Sequence, residues 1–277
     1  MARLLICSEK DISSTNMRDA LFKMEKWDDL GNDGKNVFHE FDDNIIMTIP
    51  ELHIHAENID IEAEKFGIHA DEVIFMSRHK AASAIPTLTV HPIGNYNNAD
   101  FGGKNGTLVK ASPASMTDAL RTMSKMDTNE FQVSFEVTHH GPYLEKPTFF
   151  IEIGSDETMW GNVRAAEMLA HTILSINGND YPNVIGIGGG HYAPRFTEIS
   201  NSYEVNFGHM FPGYAFNGLD DEGFISRVIL ASDATSTKMI YLHKKSMKRS
   251  EAARMSELLQ AEGFELMASK DLEVIRD

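Results

Sequence analysis

Two periods of apolar and polar positions alternate along this chain, and the switches between them outline its elements. Residues 3–7 form a short apolar run that predicts a buried first strand, followed by a helix over about 15–25. Apolar runs at 44–49 and 72–76 predict two more strands, with a short helix at 59–66 between them. Another short strand is expected at 86–90, and Ser115 is placed to cap a helix that ends near Asp127. Over 131–138, apolar residues at 131, 133, 135 and 137 alternate with polar ones, the period of a half-buried strand. A second strand follows at 148–153. Ser155, Asp156 and Glu157 then supply a cap and an acidic first turn, and apolar positions from 159 to 174 keep helical spacing until Gly178. Strands are expected at 184–187 and 203–211. A last helix over 246–262 stops at Gly263 and returns as a strand at 264–267.

Strands that alternate with helices imply an α/β fold, three layers α/β/α around a mixed sheet, with the site at the carboxyl ends of the strands. No repeat, low-complexity tract or Pro/Ser-rich linker interrupts the pattern. The expectation is therefore a single α/β catalytic domain over 1–277, with a Gly-, Asn- and Lys-rich functional loop at 94–113. At 277 residues, 42% apolar and 24% charged, the chain can bury a core without help from a disulfide or a metal. Disorder, collagen and a coiled coil are excluded by the same figures. One cysteine, Cys7, excludes a disulfide framework and a Cys-rich zinc finger, and reads as a small core residue. No stretch reaches the ~18 apolar residues of a membrane span. The opening run is too short for a signal peptide, so a cytoplasmic protein without a membrane partner is expected.

Charge modifies this picture. A net −16 argues against nonspecific binding of nucleic acid. The distribution is uneven, with seven basic and seventeen acidic side chains in residues 1–72. Between Lys238 and Arg254, six basic residues stand against Glu251 alone. Such a strip can hold a phosphate backbone, or it can be a solvated helix face.

The chemistry lies with the histidines, twelve in all. His79, His91, His139, His140, His191 and His209 fall at or near predicted strand ends. Imidazole offers a proton shuttle and a zinc ligand, and a catalytic zinc needs about three protein ligands with an open position. Glu136 and His140 share one side of the 131–138 strand if the extended backbone persists, while His139 points the other way. Glu152 emerges among Phe and Ile, where a carboxylate is costly unless paired or metal-bound. His209 has the parity of Val205, Phe207 and Phe211, so a core histidine and a ligand both remain open. His171 lies on the polar stripe of its helix, and His53 and His55 read as solvent-facing ends of a strand. There is no His-Glu-x-x-His and no Gly-x-Ser-x-Gly. Gly186-x-Gly188 is followed by His191, and Pro194 and Arg195 open no periodic helix, so a dinucleotide is not expected. Bare glycine backbone beside His191 instead lets a ligand approach closely.

Four collinear segments taken together resemble the archaeal-type D-aminoacyl-tRNA deacylases. They are Ser77-Arg78-His79 with 86–91; Glu136-Val-Thr-His139-His140-Gly141-Pro142; Glu152-Ile-Gly154-Ser155-Asp156-Glu157 with Trp160; and Gly186-Ile-Gly188-Gly189-Gly190-His191-Tyr192-Ala193-Pro194-Arg195. Gly208-His209 and Tyr214 add a weaker fifth. The resemblance implies a phosphorylase/peptidyl-tRNA-hydrolase-like fold and hydrolysis of the ester joining a D-amino acid to the 3′-terminal ribose of tRNA. It also implies Zn2+ as cofactor, up to two ions per chain, serving to activate water. With it, the residues sort into expected roles: His79, His140 and Glu152 catalytic; Glu136, His139, His191 and His209 on the metal. Arg78, Gly188, Gly189, Tyr192 and Arg195 are expected to bind substrate, and Lys244, Lys245, Lys248 and Arg249 to contact tRNA phosphates. The expected partner is D-aminoacyl-tRNA alone, bound by a monomer. Three other classes stay open: a metal-free tRNA esterase, a zinc peptidase or amidase, and a non-enzymatic RNA- or metal-binding protein.

Overall fold

The computed structural model describes residues 1–81, 85–128 and 130–276. In chain order its strands are β1 (Arg3–Ser8), β2 (Asp28–Asn32), β3 (Val37–Phe41), β4 (Asn44–Ile49), β5 (Glu72–Arg78), β6 (Thr87–Pro92) and β7 (Gly94–Asn95). They continue with β8 (Thr107–Leu108), β9 (Gln132–Phe135), β10 (Thr148–Gly154), β11 (Asn183–Ile187), β12 (Asn206–Phe211), β13 (Met239–Leu242) and β14 (Glu265–Met267). The helices are α1 (Ile12–Met24), α2 (Ile59–Lys65), α3 (Pro113–Lys125), α4 (Glu157–Trp160) and α5 (Val163–Ser175). The remaining ones are α6 (Pro194–Ser202), α7 (Gly213–Phe216), α8 (Asp221–Thr235) and α9 (Arg249–Ala261).

The α/β class is as expected, but the strands divide between two main sheets. Eight form a mixed sheet in the order β2-β3-β4-β1-β5-β10-β6-β9, and four form a second sheet, β12-β11-β13-β14, parallel throughout. β1, β4, β5 and β10 are buried along almost all of their length, which is why they read as mainly apolar runs. One face of the large sheet (Leu5, Ile74, Val90, Ile151) packs on α1, α3 and α5, in a core that continues to Val184, Phe207 and Met210 of the second sheet. The opposite face (Leu4, Ile6, Phe75, Phe150) is covered by Ile59 and Ala63 of α2 together with Ile93, Val109 and Leu144. A third core lies between the second sheet and helices α8 and α9.

Several boundaries differ from the sequence reading. Ser115 is buried inside α3, which Ser112 and Pro113 open instead. The helix expected from 159 breaks at Gly161: Asp156 caps α4, and the Asn162 side chain caps α5 by accepting from the Ala165 amide. Pro194 does open a helix, α6, whose buried face is Phe196, Thr197, Ile199 and Ser200. At nine residues, with two polar side chains on the buried face, it is too short to show a sustained apolar period. The loop at 94–113 contains the β7–β8 hairpin.

Candidate active site

Side chains along a strand alternate between faces, and this alternation collects the polar groups. Glu152 of β10 lies in register between Ser77 of β5 and Thr89 of β6, and Thr89 lies opposite Ser134 of β9. Two residues on, His91 and Glu136 share that face with Phe150. The polar groups therefore run along one face of the sheet rather than along a single row of carboxyl ends, because β6 and β9 run opposite to β10. His191 arrives from the second sheet. Beyond β11 the chain crosses back and pairs residues 191–193 with 135–137: Val137 N–H donates to His191 O, Ala193 N–H donates to Phe135 O, and Tyr192 bridges Glu136.

The result is a buried knot of five imidazoles and two carboxylates. Glu136 Oε2 lies 2.8 Å from His191 Nε2, 3.2 Å from His79 Nδ1 and 3.6 Å from His139 Nε2. Glu152 Oε2 lies 3.5 Å from His91 Nε2 and 3.6 Å from His79 Nδ1. His140 closes the group, its ring centroid 4.5 Å from His139 and 5.0 Å from His91. Ligand-capable atoms of His79, Glu136, His139 and His191 all fall within 4.8 Å of one another, as do those of His91, His139 and His140, and of His91, Glu136 and Glu152.

Tautomers follow from the neighbours. His91 Nδ1 faces Pro92 O at 3.2 Å, His139 Nδ1 faces Val137 O at 2.7 Å, and His140 Nδ1 faces Gly141 O at 2.6 Å. A carbonyl only accepts, so these nitrogens carry the proton; Nε2 is then left bare on His139 and His140, whereas on His91 it faces the Glu152 carboxylate. Metal-binding histidines characteristically anchor their second nitrogen in this way. Glu136 Oε1 and His79 Nε2 are buried without a hydrogen-bond partner. Nitrogen and oxygen donors gathered in this number, with such vacant acceptors among them, suit zinc.

The electrostatics divide the imidazoles. Burial drives His139 well below its usual value and His140 down to about 4, with neighbouring histidines adding repulsion. Burial also opposes charge on His79 and His91. Hydrogen bonding to Glu152, with the Glu136 and Glu152 charges, outweighs it and raises both. Those two histidines hold Glu152 well below the carboxylate range against its own desolvation.

Two cavities flank the knot. One of about 330 Å³ exposes His139, His140 and His191 beneath Phe101 and Tyr214. The other, of about 150 Å³, lies behind His140 and Glu152 and is lined also by Asp11, His53, Ser77 and Arg78. The Arg78 guanidinium stands over Trp160, 4.5 Å from the ring centroid. Tyr192 packs its ring on His79 and His191.

Not every expected residue joins. His209 is buried with Nδ1 3.0 Å from Thr138 Oγ1 and Nε2 2.8 Å from Val109 O, so neither nitrogen is left for a metal. His79 takes its place beside Glu136, His139 and His191. Arg195 turns away to Tyr241, Glu198 and Ser269, in a separate cleft of about 290 Å³. His53 is buried in a 3-10 turn rather than solvent-facing; its Nε2 lies 3.3 Å from Ser14 Oγ and its Nδ1 3.7 Å from Asp11 Oδ2. Gly188 and Gly189 reach the basic strip. Gly189 N–H donates to Ser246 Oγ at 3.0 Å, and Lys244, Lys245, Lys248 and Arg249 are exposed just beyond. His91 was absent from the expected site. Its signal was present in the sequence as Thr87, Thr89 and His91, polar groups at period two inside an otherwise apolar strand.

The D-aminoacyl-tRNA deacylase family profile matches residues 66–267. A D-aminoacyl-tRNA deacylase of Methanococcoides burtonii is 33% identical over 98% of this chain, which spans 57% of that relative's length. Enzymes of the same name from Methanosarcina mazei and Archaeoglobus fulgidus are 32% and 35% identical over 97% of the chain, and are themselves covered to 92% and 96%. A crystal structure of a conserved protein of unknown function, AF0625, superposes with a TM-score of 0.88 at 33% identity over 99% of both chains. Among the described residues, no helix is long and apolar enough to cross a membrane. The profile match and these identities show that the chain belongs to the D-aminoacyl-tRNA deacylase family.

Proposed function

We propose that this chain hydrolyses the ester between a D-amino acid and the 3′-terminal ribose of tRNA, at the His/Glu knot, as a cytoplasmic, monomeric, single-domain enzyme. The observation that carries the reading is the pair of bare Nε2 atoms on His139 and His140, which line an open cavity beside the buried carboxylates Glu136 and Glu152. Zinc would be held by His79, Glu136, His139 and His191, and when bound it supplies Lewis acidity toward water and the ester carbonyl. His79 thus moves from the proton-transfer role to the ligand set. His140, neutral at pH 7, accepts a proton from the attacking water at Nε2 and returns it to the departing ribose oxygen. The water oxygen bonds to the acyl carbon as the carbon–ribose oxygen bond breaks. Glu152 stays charged and orients His79 and His91. The glycine backbone at 188–190 admits the nucleic acid close to His191.

Deacylation of matched D- and L-tyrosyl-tRNA, with and without a chelator, tests the reading. Hydrolysis of the D form, sparing of the L form, and loss on chelation restored by zinc are expected. Full turnover by demetallated protein would favour acid–base work by the Glu136–His191 pair alone, whose Oε2 and Nε2 atoms lie 2.8 Å apart. Cleavage of peptides instead would make it an amidase, and binding without turnover would remove the enzyme altogether.

A further inference from the structure

We propose that Phe101 and Tyr214 form a clamp that stacks the terminal base of the tRNA above the His/Glu knot. The proposal rests on the deacylase reading and deepens it by assigning the nucleobase subsite. Large hydrophobic residues exposed on a folded surface are informative when they gather at a cavity. Phe101 is 67% exposed and Tyr214 54%, and both line the cavity that leads to His139, His140 and His191.

The two aromatics sit on separate elements that are tied together. Phe101 is on the loop of the β7–β8 hairpin, and Tyr214 is on α7. Asn97 of the hairpin donates its Nδ2–H to Ala215 O of α7 at 3.1 Å. The loop is held from below as well: Asn95 Nδ2–H donates to Gly102 O, Gly103 N–H to Glu57 Oε1, and Gly141 N–H to Phe101 O. The arrangement is therefore set before a ligand enters, which limits the ordering cost of binding.

The lining chemistry selects the ligand. Among the described residues no Lys or Arg lines this cavity, and Asp100 would repel a phosphate. Asparagine amides and aromatic faces suit a neutral planar heterocycle, which binds by stacking. The charged backbone has its own route out. Gly213 N–H at the start of α7 donates to Gly189 O, and Gly189 N–H donates to Ser246 Oγ beside Lys244 and Lys245. One glycine thus joins the clamp to the basic strip, and a chain with its last base between the aromatics would cross it toward those lysines.

The test uses wild type, Phe101→Ala, Tyr214→Ala and Phe101→Tyr with D-tyrosyl-tRNA, and uncharged tRNA carrying 2-aminopurine at the 3′ end. Each alanine variant should raise KM about tenfold with little change in kcat, and Phe101→Tyr should restore KM because stacking needs only the ring. Wild type should quench 2-aminopurine fluorescence, and the alanine variants should not. Unchanged KM and no quenching in a wild type that hydrolyses D-tyrosyl-tRNA would overturn the clamp while leaving the deacylase reading standing. So would a KM effect that follows the amino acid, D-alanyl against D-tyrosyl, since the aromatics would then hold the aminoacyl side chain. Quenching by a wild type that hydrolyses no aminoacyl-tRNA would support the clamp and sink the deacylase reading.

Discussion

Glu136 is the residue on which the knot converges, since one of its carboxylate oxygens lies within 3.6 Å of His79, His139 and His191. Replacing it with Gln keeps the shape and removes the charge. Glu136→Gln should bind zinc at least about a hundredfold more weakly, since even an outer-shell partner is worth 10–100-fold. Zinc content after dialysis against a competing chelator, measured by mass spectrometry, checks this without reference to activity. His209 makes the contrasting case of a histidine absorbed by the core. Burial pushes it down to about 4, so the folded protein holds it neutral while the unfolded chain titrates near 6.5. Its contribution is complete above pH 6.5 and is lost as pH falls toward 4, by about 3 kcal/mol over that window. His209→Gln should lower stability at pH 7 yet flatten the slope of unfolding free energy against pH, read from urea melts between pH 7 and 4.5. A slope equal to wild type would mean that His209 titrates alike in the folded and unfolded chain. The sequence could not separate His79 from His209. Both lie at or near a predicted strand end, and only the three-dimensional neighbours, carboxylates for His79 and Thr138 with a carbonyl for His209, decide which nitrogen is free.

At the scale of elements, the connection from β11 to α6 does most to build the site. It carries His191 to Glu136 and presses Gly188 against Ser246 and His243. A Cβ on Gly188 would lie 2.5 Å from Ser246 Oγ, at a φ of +105° that L side chains rarely adopt. Gly190 meets nothing within 4 Å and has no such constraint. Gly188→Ala should therefore cost about 1–3 kcal/mol, and Gly190→Ala about 0.5 kcal/mol or less. Denaturation midpoints of the two variants check the contrast, and equal midpoints would mean that the loop has no fixed conformation. Buried strands were legible here because β1, β4, β5 and β10 each carry a run of apolar residues, and several helices because their apolar stripes keep a helical period. The β2–β3 hairpin was not. β2 is exposed and mostly polar at the sheet edge, and β3 buries only Phe38, so no sustained alternation marks them. The division into two sheets was hidden for a different reason: strand pairing is set by long-range contacts, and local patterns of β5 and β11 look alike. The same limit applied to the site, where the residue types were readable but the face that unites β5, β6, β9 and β10 needed the register.

For the molecule as a whole, the puzzle is how a chain of net charge −16 holds a polyanion. Acidic residues are concentrated in the first quarter, whereas Lys244, Lys245, Lys248 and Arg249 stand exposed across the turn that leads into α9. Exposed charges separated by more than a Debye length, about 8 Å at physiological salt, act nearly independently. The basic strip can thus attract phosphates at its own place on the surface despite the overall negative charge. Phosphate contacts remote from the ester are equal in ground and transition states, so their loss raises KM and leaves kcat. The Lys244→Ala/Lys245→Ala double variant should show that split with D-tyrosyl-tRNA. Its log(KM) against log[salt] should be shallower than wild type by about 0.7–0.9 for each phosphate contact removed. The salt series is the decisive arm, because a general loss of stability would lower kcat and leave the slope alone. An unchanged KM with an unchanged slope would reduce the strip to a solvated helix face, and the tRNA backbone would then have to leave the Gly189 crossing by another route.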